Sequence, residues 1–258
     1  MQNEMTCLLE AVHEAGQAIQ RLQARGFEVA RKANHDLVTQ ADWLANDLLK
    51  AKLTQAFPAI GWLSEESVDD HARLNSERVW IVDPIDGTKE FSLGIPEYAI
   101  SVALVQHEEP VLSAVYNPAT NEMFHAIKGQ GAWLNGVAIQ CADPAESEVR
   151  LLASRSEYAR GEWDGFIKQS QVEPVGSIAY KLALVAAGRA HGTFSLGPKN
   201  EWDIAAGALL VTEAGGTVTD QLHQPMKFNQ KKVLVPGIVA TGASWNEKIF
   251  ALIRVCRQ

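Results

Sequence analysis

The chain has 258 residues, 47% hydrophobic and 21% charged, the balance of a protein that folds around its own core rather than staying disordered. Its formal net charge of −8 excludes a broad basic surface for a nucleic acid polymer, but not a small anion held beside bound cations. Cys7, Cys141 and Cys256 are far apart and odd in number, and no signal core or membrane-length apolar run is visible, so reduced thiols in the cytoplasm are expected.

Leu8, Val12, Ala15, Ile19 and Leu22 recur at helical spacing and predict a first helix over about Met5–Leu22. A second is expected from Thr39 to about Ala56, with Leu44, Leu48 and Leu49 as its apolar stripe and Pro58 just beyond its end. Short apolar runs at Ile60–Ser64, Val79–Val82, Ala99–Gln106, Val111–Tyr116 and Glu122–Ile127 read as strands. The turn residues at His107–Pro110 and Asn117–Asn121 fit antiparallel hairpins. The polar stretch Ala142–Glu148 is the best internal boundary. Beyond it come a strand at Val149–Ala153, a helix near Ile178–Ala187 and a strand at Gly192–Ser195. A helix over Ile204–Glu213 closed by Gly215-Gly216, a late strand at Val233–Thr241 and a terminal helix complete the chain. The pattern is mixed α and β, with helices covering sheets.

The densest chemistry is Trp80-Ile-Val-Asp83-Pro-Ile-Asp86-Gly-Thr88-Lys-Glu-Phe91. A strand delivers Asp83, Pro84 biases it toward an extended backbone, and Gly87 permits a sharp turn after Asp86. Two carboxylates so spaced, with the Ile85 carbonyl between them, can converge on a hard cation such as Mg²⁺. Read alone, Asp-Pro and Asp-Gly are equally ordinary turn formers. Glu65 and Glu66 end another predicted strand, where Glu66 reads as a solvated residue. Asp203 stands where a helix begins and reads either as an N-cap or as a carboxylate aimed out of the helix start. Asp42 closes Thr39-Gln-Ala-Asp42, a capping box. The seven histidines show no metal spacing, and no Ser-His or Cys-His pair stands out.

Asp36-Leu-Val-Thr-Gln-Ala-Asp42, Glu65-Glu-Ser, Asp83-Pro-Ile-Asp-Gly-Thr88 and Trp202-Asp203-Ile-Ala-Ala-Gly207 together resemble the inositol monophosphatase superfamily of lithium-sensitive, Mg²⁺-dependent phosphatases. The resemblance implies a layered α+β / α/β fold, the α-β-α-β-α sandwich of that superfamily. An N-terminal half over 1–145 would carry most metal ligands. A C-terminal half over 146–258 would contribute Asp203 and the substrate wall. Glu65, Asp83, the Ile85 carbonyl, Asp86 and Asp203 would hold two or three Mg²⁺ ions. Thr88, oriented by Asp42, would help activate the attacking water, and the amides of Gly87 and Thr88 would hold phosphate oxygens. The implied partner is a small phosphorylated substrate, without membrane insertion, and the resemblance admits a homodimer.

Lys89-Glu90-Phe91 and Leu196-Gly-Pro-Lys-Asn-Glu-Trp-Asp203 are similar to the 3′(2′),5′-bisphosphate nucleotidases of that superfamily. Inositol phosphatases place an acidic residue near the position held here by Ser195 and Leu196. Gly176-Ser-Ile-Ala-Tyr-Lys181 resembles the segment lining the leaving-group side, which makes Ser177 and Lys181 substrate-binding candidates beside Asp203. The same segment also reads as a plain helix start with a solvated Lys181. Lys181 or Arg155 would pair with the 5′-phosphate of 3′-phosphoadenosine 5′-phosphate, while Lys89 serves the rim or local structure. The expected activity is hydrolysis of that nucleotide to AMP, with an inositol-1-phosphatase or broader sugar-phosphate phosphatase as the alternative. A non-catalytic phosphate- or metal-binding protein is the third reading, opposed by the complete acidic set with Asp42 and Thr88.

Overall fold

A computed structural model describes residues 1–31, 37–142 and 148–256 of the chain. Helix α1 (Gln2–Arg25) precedes the antiparallel pair β1 (Val29–Arg31) and β2 (Leu37–Thr39), then α2 (Gln40–Ala56) and β3 (Gly61–Ser64). Next come β4 (Arg78–Asp86), α3 (Thr88–Ser92), β5 (Ala99–Gln106), β6 (Glu109–Asn117), β7 (Glu122–Ile127), β8 (Gly131–Leu134) and β9 (Val137–Ile139). The second half begins with β10 (Arg150–Ser154), α4 (Arg155–Ala159), α5 (Asp164–Ile167), β11 (Gln171–Val175), α6 (Ile178–Ala186) and β12 (Gly192–Ser195). It ends with β13 (Lys199–Asn200), α7 (Glu201–Glu213), β14 (Gly216–Thr219), β15 (Leu234–Val235), β16 (Ile238–Gly242) and α8 (Asn246–Cys256).

Strands β3 to β9 form a seven-stranded sheet in chain order, antiparallel except for the parallel β3–β4 edge. A five-stranded sheet has the order β11-β10-β12-β16-β14. The period-two alternation of β4 shows how these sheets are layered. Trp80 and Val82 pack with Leu8, Val12, Leu49 and Leu53 of α1 and α2, whereas Val79 and Ile81 pack with α6 and α7. The far side of α6 and α7 meets Leu152, Ile238 and Ala240 of the second sheet. Leu151, Phe194 and Val239, pointing the other way from that sheet, pack under α5 and α8. The order is helix, sheet, helix, sheet, helix. Helix α6 is buried at every residue, as a helix between two sheets must be.

Most predicted elements are present, and the differences have physical causes. Strand β4 runs on to Asp86 rather than ending at Val82, because the ladder to β5 resumes after a register shift between Asp83 and Asp86. Helix α7 starts at Glu201, so Asn200 is its N-cap and Asp203 lies within its first turn, which corrects the N-cap reading of Asp203. The late strand is divided at Pro236-Gly237 into β15 and β16. Strand β11 escaped prediction because Pro174 demotes such a run, yet Pro is tolerated here on the sheet edge. The proposed boundary falls largely on residues 143–147, and Asp36 with His35 also lies outside the described residues. Among the described residues no helix is long and apolar enough to cross a membrane.

Leu53→Ala removes a fully buried side chain from the first helical layer. It is expected to cost about 2–5 kcal/mol of stability in urea unfolding while the folded structure persists.

Candidate active site

The parallel ladder pairs Ser64 of β3 with Val82 of β4, so Glu65, just past the end of β3, comes beside Asp83 of β4. The Glu65 amide fixes this by donating to the Val82 carbonyl at 3.2 Å. Asp83 is buried, and its Oδ1 accepts the Ile85 amide at 3.0 Å across the bulge. Asp86 follows, and Gly87 turns the chain into α3 with φ at 93°. A Cβ on Gly87 would stand 3.0 Å from the Glu97 carbonyl, so both the backbone angle and the space require glycine.

The second half of the chain reaches this turn from two directions. Ser177 holds φ at 56°, a costly angle for a non-glycine residue, and its hydroxyl donates to Asp86 Oδ2 at 2.5 Å. The Ala179 amide donates to the same oxygen at 2.6 Å. Beneath them Lys181 is 2% exposed, its Nζ donating to the Val175 and Ser177 carbonyls at 3.2 and 3.1 Å. The solvated reading of Lys181 is therefore corrected: its ammonium braces the turn that grips Asp86. Asp203 arrives on the first turn of α7, where its Oδ2 accepts the Asn200 amide at 3.0 Å.

Asp42 combines two jobs by dividing its oxygens. Oδ2 accepts the Thr39 amide and hydroxyl at 2.7 and 2.6 Å, completing the predicted capping box of α2. Oδ1 lies 3.0 Å from the Thr88 hydroxyl, which is also 3.0 Å from the Ile85 carbonyl. That hydroxyl has one proton, and the carboxylate is the stronger acceptor for it.

These acids repel one another in a poorly solvated place. Burial first, then Glu65, Asp86, Asp203 and Asp42, raise the Asp83 carboxyl well above the usual range. Asp203 is raised in the same way, by burial and then by Asp86 and Glu65. Burial also raises Asp86, against the hydrogen bonds from Ser177 and Ala179 and the charge of Lys181. Burial pushes Lys181 down to about 8. Asp42 is raised by burial against its hydrogen bonds from Thr39 and Thr88.

Among the described residues, no three Asp, Glu, His or Cys side chains already close on one point as a shell. One oxygen each of Asp83, Asp86 and Asp203 is committed to a protein donor, and the other accepts no hydrogen bond from the described residues. Mutually repelling hard oxygen donors in this arrangement fit a divalent cation that gathers the uncommitted oxygens, and Glu65, Asp83, Asp86, Asp203 and the Ile85 carbonyl could hold it. Glu66 is half-buried and is not among the residues that line the cleft.

All five candidate ligands, with Gly87, Thr88, Ser177 and Lys181, line one cleft of about 620 Å³. Its far wall carries Ser154, Arg155, Ser156, Phe194, Ser195 and Lys199. Arg155 is engaged by both oxygens of Glu97, each at 2.5 Å. Glu97 also accepts the Gly176 amide at 2.7 Å, a clamp that nothing in the local motif around Pro96 signalled. Lys199 is partly exposed and held more loosely, 4.0 Å from Glu157. Glu157 lies behind the wall, receiving the Ser195 hydroxyl at 2.7 Å.

The sequence profile of the inositol monophosphatase family matches residues 1–258. An inositol-1-monophosphatase of Mesorhizobium japonicum is 35% identical over 227 residues, 84% of this chain and 85% of the relative. The structure of the extragenic suppressor protein suhB of Bartonella henselae superposes with a TM-score of 0.83 at 31% identity, covering 96% of this chain and 97% of that one. CysQ of Bacteroides thetaiotaomicron, a bacterial member of the same family, gives 0.78 at 29% identity, covering 94% and 98%.

The raised pKa of Asp83 sets a sign for stability. The folded state takes up protons more readily than the unfolded one, so stability falls as pH rises through the raised value. With metal chelated, Asp83→Asn is expected to raise the melting temperature at neutral pH. Circular dichroism should show that gain shrinking as the pH falls toward the ordinary carboxylate range.

Proposed function

The chain belongs to the inositol monophosphatase family, and from that premise we propose that this phosphoric monoester hydrolase is a 3′(2′),5′-bisphosphate nucleotidase converting 3′-phosphoadenosine 5′-phosphate to AMP and phosphate. Family enzymes use divalent metal ions, generally Mg²⁺. When bound, such ions lower the pKa of the attacking water and neutralise charge on the attacking and leaving oxygens.

Glu65, Asp83, Asp86, Asp203 and the Ile85 carbonyl would hold the ions in this reading, two or three in number. The Thr88 hydroxyl donates to Asp42 Oδ1, so a lone pair can accept a hydrogen bond from the attacking water, and as the water's proton passes to Thr88 the hydroxyl's own proton passes to Asp42. Asp42 is suited to this because Thr39 orients it through the other oxygen. The amides of Gly87 and Thr88, at the start of α3, take phosphate oxygens. Ser177 keeps Asp86 facing the cleft while Lys181 secures the turn beneath it.

The observation that carries the choice of substrate is the far wall. Lys199 presents a loosely paired cation there, within the very segment whose sequence is similar to the nucleotidases. It is the better partner for a second phosphate than Arg155, which Glu97 already engages, or Lys181, which two carbonyls engage. Polyol recognition would need a carboxylate on this wall, and Glu157 is turned behind Ser195. A cleft of about 620 Å³ accommodates a nucleotide.

A panel comparing kcat/KM on 3′-phosphoadenosine 5′-phosphate and inositol 1-phosphate in Mg²⁺ is expected to favour the nucleotide. A preference of about tenfold or more for inositol 1-phosphate, a difference worth roughly 1.4 kcal/mol, would overturn the choice. Lys199→Ala should lower kcat/KM on the bisphosphate by about tenfold or more, the worth of a charged hydrogen bond, and leave adenosine 3′-phosphate unaffected. Asp86→Asn should nearly abolish turnover of every substrate while the fold, followed by circular dichroism, remains intact.

A further inference from the structure

A second polar network lies outside the cleft and is built around Arg73, a charged residue only 3% exposed. It sits in the segment that leads from Glu65 at the end of β3 toward β4. Its Nε and Nη2 grip the Asp69 carboxylate, the closest contact being 2.9 Å. Its Nη1 donates to Asn229 Oδ1 at 2.5 Å, and Nη2 donates to the Gln230 carbonyl at 2.9 Å. The amides of those same two residues donate to the Glu201 carboxylate at 2.5 and 2.8 Å. Glu201 is fully buried and is the first residue of α7, two positions before Asp203.

The connections run without a gap from the Glu65 segment through Asp69, Arg73 and the loop at Asn229-Gln230 to the start of α7. Burying a guanidinium is costly unless its donors are satisfied, and here Asp69, Asn229 and Gln230 satisfy them. Glu65 and Asp203 approach from distant parts of the chain, and their charges repel. Something other than the acids must keep the two segments at a fixed separation.

We infer that Arg73 is a positioning residue that ties the segment bearing Glu65 to the helix start bearing Asp203, holding the two acids at the spacing a divalent ion needs. This rests on the divalent-metal reading of the acidic cleft. Arg73 touches neither the cleft nor the substrate. Its effect is preorganisation: the ordering of the two segments is complete before the ion arrives, so its loss weakens metal affinity rather than the chemical step.

The test uses the full-length chain and Mg²⁺ as the probe, comparing Arg73→Gln, Arg73→Lys and Asp69→Asn. Calorimetric Mg²⁺ binding without substrate is read beside the Mg²⁺-induced rise in melting temperature and the Mg²⁺ dependence of turnover. Arg73→Gln and Asp69→Asn are expected to weaken Mg²⁺ binding by about tenfold, the lower end of what is lost when a group bonded directly to a metal ligand is removed. Arg73→Lys should recover part of it, and kcat at saturating Mg²⁺ should stay near that of the wild type. Leu53→Ala, destabilised in a different layer, should bind Mg²⁺ as the wild type does. Should Arg73→Gln fail to fold, Asp69→Asn carries the test, because Asp69 is only partly buried. Wild-type affinity in the Asp69 variant, or an equal loss in Leu53→Ala, would overturn the inference. Absence of Mg²⁺ binding by the wild type would overturn the metal reading itself, and this inference with it.

Discussion

Repulsion among buried carboxylates is the constraint on which the rest of the molecule depends. Burial raises the carboxyls of Asp83, Asp86 and Asp203 above their ordinary range, and the charge of Glu65 adds to the rise at each. Such an assembly cannot be held by the acids themselves. It is held by the parallel ladder that sets Glu65 beside Asp83, by Ser177 and Ala179 gripping Asp86, and by a layered core that clamps α6 and α7 between two sheets. Each of these places the backbone first and lets the carboxylates follow.

The layering explains how distant parts of the chain meet at one cleft. The β3–β4 edge ends where α6 and α7 begin, so strand ends from one sheet face helix starts from the middle layer. Strand ends and helix starts are also where backbone amides lack partners, and an acidic site among them is well supplied with donors. The amides of Ile85, Ala179 and Asn200 each engage one of the three aspartates.

The apolar periodicities made the main helices and strands legible, because burial on one face is written directly into residue spacing. The acids were legible for a different reason: Asp83-Pro-Ile-Asp-Gly-Thr88 needs unusual backbone at fixed positions, and residue identity records that need. The partners that hold the site were harder to read. Glu97 in a loop and Arg73 in a single 3₁₀ turn are lone charged residues, and their partners, Arg155 and Asn229-Gln230, are distant in sequence. Lys181 looks like a surface lysine until α6 is known to lie between two sheets. Long-range pairing leaves no local pattern. The same limit applied to Asp203, whose place in the first turn became clear only with Asn200 at the cap.

Two of the acids carry a second duty that bears on how relatives should be read. Asp42 and Asp203 each reach back from a first helical turn to the amide of the preceding cap residue, Thr39 in one case and Asn200 in the other. Helix initiation alone would preserve an aspartate at both places in a lineage that had abandoned hydrolysis. Their presence in a distant sequence therefore reports on folding as much as on chemistry. Asp83 has no such alibi: it starts no helix, and burial together with the charges around it opposes its ionisation. In a degenerating copy of this protein, Asp83 would be the first of the acids to drift, and its retention is the better mark of a working enzyme.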